Sequence, residues 1–276
     1  MSDRVQQPVV RRGRKDVFRT MAALAAIVVL VYIALLIVTN TSLLGAESFT
    51  ELVTTERTLG AILLSFAMAL GATVIAMVVG VPAAYALSRL RVPGRVVFDT
   101  LVDVPIALSP IALGIIIIAM FSTGPGKFLE ENVLAFTYAV PGILLAQLTV
   151  VCALTVRLLK TAFDDVPPRL EAIARTLGST RWRAFRRVTL PLARRAIFTA
   201  FVISFARAFG EFGATLTVAG AAPGPRETLP VSVFLRYSSL EVGKAAGLIL
   251  LTMLLAFGVI LVLRVLTSPD LRREFS

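Results

Sequence analysis

The sequence predicts an all-α polytopic membrane protein with six transmembrane helices, and three observations carry that prediction. Apolar residues make up 57% of the 276 and the mean hydropathy is +0.85, a composition that only lipid solvates. Six apolar runs are each long enough to cross a hydrocarbon layer of roughly 30 Å at 1.5 Å per residue. Basic residues gather in alternate connecting segments rather than spreading evenly. In a soluble protein the net charge of +11 would suggest nucleic acid. Here most of the charge flanks apolar runs, where topology accounts for it, and no nucleic-acid partner is expected. With one cysteine and no histidine, an internal disulfide is impossible, histidine catalysis is excluded and no metal site is expected.

Residues 1–19 read as a basic tail carrying Arg11, Arg12, Arg14, Lys15 and Arg19. The following run, Thr20 to Val38, is about 19 residues long, against roughly 7 to 15 for a signal-peptide core, so it reads as a retained first membrane helix. Five further spans are expected at 58–81, 100–121, 138–160, 196–219 and 244–266, with a tail at 267–276. The membrane domain is thus 20–266. The segments around Arg89, Arg91, Arg95, the arginines of 161–195, and Arg264, Arg272 and Arg273 are rich in positive charge. Their counterparts at 40–57, 122–137 and 220–243 hold only Arg57, Lys127, Arg226 and Arg236, with Lys244 at the boundary. Both termini and the 161–195 loop are therefore expected on the cytoplasmic side. Pro105, Ser109, Pro110 and Gly114 interrupt the third span, and Pro141 and Gly142 open the fourth. Packing kinks or the lining of a passage both account for such breaks.

Between the fourth and fifth spans lies a polar island, RLEAIARTLGSTRWRAFRRVTLP, from Arg169 to Pro191. Leu170, Ile173, Ala174 and Leu177 recur at helical spacing, Pro167 and Pro168 stand at the entrance, and Gly178 at the exit. Ser179 is placed to cap a second short helix with Trp182, Phe185 and Val188 on one side, ended by Pro191. Two short helices lying at a membrane surface read as a docking surface for another protein.

The fifth span holds Arg207 and Glu211, opposite charges at i, i+4 spacing that meet on one helical face. Arg207 is expected about 16 Å into the layer, where a charge must be paired or face water. Ala206, Gly210 and Ala214 make a neighbouring small-residue stripe. Two readings stay open: a pair that locks the span to a neighbour, or residues beside an aqueous path that attract an anion. Ser109, Pro110, Arg207, Glu211 and Thr215 are the candidate path residues.

The island resembles the signature loop of bacterial ABC-importer permeases: Glu-Ala-Ala, then Gly, then a hydrophobic residue and Leu-Pro. Aligned on Gly178, the chain has Ala174, Arg175, Thr176 and Leu177 before it, and Val188, Thr189, Leu190 and Pro191 after nine residues. Glu171 falls one residue earlier than the usual Glu, whose place Ala172 takes, and Ile173 replaces the first Ala of the pair. The resemblance covers a core of about 58–266. Val81 to Pro110, Phe205 to Gly220 and the following RETLPVSVF look like permeases for tetrahedral oxyanions, and Gly210 to Thr215 with Thr228-Leu229-Pro230 inclines toward molybdate or tungstate over sulfate.

This resemblance implies the type I ABC importer permease fold in a bacterial inner membrane. It implies a cytoplasmic ABC ATPase dimer, a second permease subunit (a copy or a relative) and an extracytoplasmic oxyanion-binding protein as partners. Glu171, Ala172, Ala174, Arg175, Leu177, Gly178, Trp182, Leu190 and Pro191 would form the ATPase coupling surface. ATP and magnesium would belong to the ATPase, since this chain has no Gly-x-x-x-x-Gly-Lys-Ser/Thr phosphate loop. An inside-negative potential opposes entry of a dianion by about 4 to 5 kcal/mol at 100 mV, so import has to be driven. The chain itself is then not an enzyme. An ion-coupled secondary transporter would show paired repeats and several mid-depth titratable groups, and no convincing repeat is found. An intramembrane enzyme would need a nucleophile with its base, or metal ligands.

Overall fold

The computed structural model describes residues 13–44, 49–90, 94–224 and 226–267. The outer parts of both expected tails, with Arg91, Arg272 and Arg273, lie outside the described residues. Among these residues all regular structure is helical: α1 (Gly13–Ser42), α2 (Phe49–Thr54), α3 (Glu56–Arg89), α4 (Arg95–Ala107), α5 (Pro110–Phe121), α6 (Gly124–Asn132) and α7 (Val140–Asp164). Then follow α8 (Pro168–Thr176), α9 (Arg181–Ala184), a π-helical turn (Phe185–Thr189), α10 (Leu190–Phe209), α11 (Gly213–Ala219), α12 (Leu229–Ser238) and α13 (Val242–Thr267). Five helices are long and apolar enough to cross a membrane, and the bent pair α4–α5 makes a sixth crossing if counted as one span.

The centre is built by α3 and α7 with α10 laid against both. Along α3 the buried positions from Ala61 to Ala84 are small: Ala61, Ser65, Ala69, Ala72, Thr73, Ala76, Gly80 and Ala84, almost all three or four residues apart. Small side chains let two backbones approach, which is how helices gain contact where lipid removes the hydrophobic drive to associate. A Cβ on Gly80 would stand 3.3 Å from both Leu159 and Thr155 of α7. By contrast α1 is exposed from Val17 to Thr39 and tied near its end, where Asn40 Nδ2 donates to the Ala246 carbonyl of α13 at 3.0 Å. Its apolar surface suits lipid.

The third span is broken where Ser109 and Pro110 stand, α4 and α5 meeting at 109°, and two other expectations need correction. Pro110 holds Ser109 extended (φ −66°, ψ 144°), and the Ser109 hydroxyl restarts the helix by accepting from Ala112 N at 3.2 Å. The fifth span, expected at 196–219, instead runs from Arg181 through Phe209 and breaks at Gly210–Phe212 before α11. Lastly, the second short helix of the island is capped by Thr180, not Ser179, and Pro191 does not end the coil. The π turn, ending at Thr189 two residues before Pro191, widens the coil where the proline ring would meet the preceding turn, so the proline is carried inside a continuous span.

Candidate functional site

At one end of the bundle, α8 and α9 make an elbow between α7 and α10. Gly178 closes α8 at φ +85°, a left-handed conformation in which its N–H reaches Arg175 O and the Ser179 N–H reaches Ala174 O, both at 3.0 Å. This is the paired-bond helix stop that glycine permits without strain. The polarity of α8 is inverted relative to an ordinary surface helix. Its buried side chain is Glu171, whereas Leu170, Ile173 and Leu177 face outward, Leu177 at 82% exposure. Trp182 is 68% exposed beside them, resting on buried Phe185 with ring centroids 5.7 Å apart. Ala172, Arg175, Gly178 and Pro191 are exposed, and Ala174 and Leu190 half-buried. An apolar patch in a stretch rich in exposed arginines is thus left open while the one acid of the elbow is drawn inside.

Glu171 was expected among the contact residues, but its carboxylate does not reach the surface. Oε2 accepts from Tyr85 Oη at 2.9 Å, Oε1 accepts from the Thr189 hydroxyl, and Arg89 Nε lies 3.3 Å from Oε1. The last is a charge contact without hydrogen-bond alignment. Arg89 also donates through Nη2 to the carbonyls of Phe163 at 2.7 Å and Val166 at 2.5 Å. Arg89, Tyr85 and Thr189 had no sequence signal as site residues. Arg89 read only as a topological charge at the end of a span.

Further along the bundle the two helix breaks meet. Gly213, opening α11, packs so closely on α5 that a Cβ there would lie 3.1 Å from Pro110 and Ile111. Gly114 and Thr217 repeat this contact one turn on, where an added Cβ would stand 2.7 Å from Thr217 Cβ. Arg207 and Glu211 do pair, Nη1 to Oε2 at 2.5 Å, although Glu211 sits in the break and not on the helix as expected. Glu211 is almost wholly buried, and its other oxygen accepts from Ala214 N at 3.0 Å, capping α11. Arg207 is 37% exposed. Thr215, expected beside the path, is sealed in the packing, its hydroxyl without a partner. Ser109 is exposed and Pro110 half-buried. A groove of about 600 Å³ opens at the break itself, lined by Gly210 and Phe212 together with Pro230, Phe234 and Tyr237 of α12 and Ile249 and Met253 of α13.

At the opposite end, the loop before α12 is pinned to α3. Arg57 grips Glu227 with two hydrogen bonds, 2.8 and 3.0 Å, and Leu229 N donates to Ser65 Oγ at 2.8 Å. Burial pushes the Glu227 carboxyl up, but hydrogen bonds from Arg57, Ser232 and the Gly224 N–H outweigh it and hold the group below its ordinary value.

Comparison with known proteins adds the following. Residues 76–269 match the family described as binding-protein-dependent transport system inner membrane component. A probable molybdenum ABC transporter permease protein of Haloferax volcanii is 38% identical over 94% of this chain and 95% of its own length. The molybdenum transport system permease protein ModB of Escherichia coli is 34% identical over 63% of this chain and 77% of its own. For the sulfate transport system permease protein CysW of Synechocystis sp. the identity is 31%, over 77% of this chain and 78% of that one. Among solved structures, a chain of the bacterial alginate ABC transporter in complex with alginate pentasaccharide-bound periplasmic protein has a TM-score of 0.75 at 16% identity, covering 94% of this chain and 96% of its own. That last likeness is one of fold.

Proposed function

Because the chain belongs to the family of binding-protein-dependent transport system inner membrane components, and is a permease subunit of an ABC importer, we propose that it passes a tetrahedral oxyanion, molybdate or tungstate, handed over by an extracytoplasmic binding protein. ATP is hydrolysed by a separate cytoplasmic ATPase dimer, and a second permease subunit completes the passage. The single observation that carries the coupling part is the inverted polarity of α8. A helix that buries its glutamate and exposes Leu170, Ile173 and Leu177 beside Trp182 needs a protein cover for its apolar face. The ATPase provides that cover, contacting Ala172, Arg175, Leu177, Gly178, Trp182 and Pro191, while Ala174 and Leu190 support them from below. Both termini and the elbow then lie in the cytoplasm, in keeping with the arginine distribution.

Nucleotide-driven closure of the ATPase pair pushes on two elbows and turns the passage outward, and its reach is limited by how differently ATP binds the two states. Arg207, half-open in the last turn of α10, attracts the anion, with Glu211 holding the guanidinium in place. The near-full-length likeness to a molybdenum permease supports the choice of anion. A sulfate permease is the second reading, favoured by the likeness to CysW. The test is ATP-dependent uptake by proteoliposomes holding the complex that copurifies with this chain, given labelled molybdate, tungstate and sulfate with the binding protein. Uptake of the first two is expected; uptake of sulfate alone supports the second reading, and uptake without ATP rejects both.

A further inference from the structure

We propose that Arg89 is a positioning residue that clamps the elbow to the feet of α3, α7 and α10, so that load on α8 turns these spans as one body. The proposal rests on the reading of the elbow as the ATPase contact. Four segments converge on one buried pair. Arg89 comes from the last turn of α3, Glu171 from α8, Thr189 from the π turn that opens α10, and the carbonyls of Phe163 and Val166 from the last turn of α7 and the residues just beyond it. Tyr85, also on α3, closes the network from above and packs on Phe185 at 4.5 Å, the ring that carries Trp182. The exposed tryptophan is therefore linked to the guanidinium through an unbroken set of contacts.

Stability alone does not account for this arrangement. Side chains of Arg89 and Glu171 are 8% and 11% exposed, and a buried ion pair usually gains no more than well-packed apolar residues would. What the pair gives is geometry. Only the forked guanidinium reaches a carboxylate and two carbonyls together, whereas an ammonium group keeps the charge and loses the fork. Without it α8 can still be pushed, but it pivots on its own.

The experiment compares Arg89→Lys and Glu171→Gln with the unaltered chain, each as the complex that copurifies with it, in proteoliposomes with molybdate and the binding protein. Three quantities are read: the amount of ATPase retained, the hydrolysis rate, and anions moved per ATP. Retention and hydrolysis are expected to persist, while anions moved per ATP fall by about tenfold, the scale of losing one hydrogen bond to a charged group. An unchanged ratio overturns the clamp. So does transport falling only in proportion to the amount of complex, which is what a purely structural role gives. A Trp182→Ala chain serves as the separate check: full ATPase retention there overturns the docking reading itself, and the clamp with it.

Discussion

Replacing Gly178 separates backbone geometry from contact at the elbow. Its φ is +85°, and a Cβ added there would have no heavy atom within 4 Å. In the isolated chain the penalty is therefore conformational, about 1–2 kcal/mol for an L-residue held in the left-handed region. That corresponds to roughly a 5- to 30-fold loss of correctly closed elbows. Asparagine tolerates this region better than alanine, and β-branched valine worse. The expected order of ATPase retention, measured by copurification at limiting partner concentration, is Gly, then Asn, then Ala, then Val. Side-chain volume would give Gly, Ala, Asn, Val. Finding the volume order, or no change across the series, would refute the claim that the turn between Ala174 and Ser179 sets the docking surface.

Other perturbations have equally definite outcomes. Glu227 has its pKa held down, so the Arg57 tie stabilises the fold fully above the ordinary carboxyl value of 4.5 and fades as pH drops below it. Arg57→Ala strands the buried carboxylate and should cost about 1–3 kcal/mol, less than a wholly buried pair because the arginine is partly exposed; thermal unfolding from pH 7 to pH 3 measures both, and a pH-independent difference contradicts the assignment. Gly80→Leu overpacks the α3–α7 contact and should lose about 1–3 kcal/mol, while Gly60→Leu on the same helix, with open space around it, should be neutral; equal melting temperatures would contradict the packing described. Arg207→Lys keeps the charge beside the break, and with the complex intact the maximal uptake rate should fall about tenfold if the guanidinium meets the anion. Unchanged uptake would leave Arg207 and Glu211 as a structural pair.

Hydropathy and arginine placement made the spans legible, since both follow from how lipid treats each residue type. The elbow was legible too, because Pro168, Gly178 and the spacing of Leu170, Ile173 and Leu177 act locally. What escaped depended on partners distant in sequence. Spacing shows that α8 has an apolar face but not that the face points outward, which was decided by Arg89 and Tyr85 drawing Glu171 inside. Ser179 and Thr180 are adjacent and equally able to cap, so sequence had no basis for choosing. Pro191 read as a stop because the π turn that accommodates it has no signature of its own. At the fifth span a continuous apolar stretch hid the break, which rests on Glu211 turning back to cap Ala214 N and on Gly213 meeting Pro110.

The most direct test of ATPase docking places a photo-crosslinking amino acid at Leu177, the most exposed apolar side chain of the elbow. Irradiated in the purified complex, it should join this chain to the copurifying ATPase, with a yield that changes on adding ATP. Crosslinks confined to lipid, or to the extracytoplasmic binding protein, would contradict it.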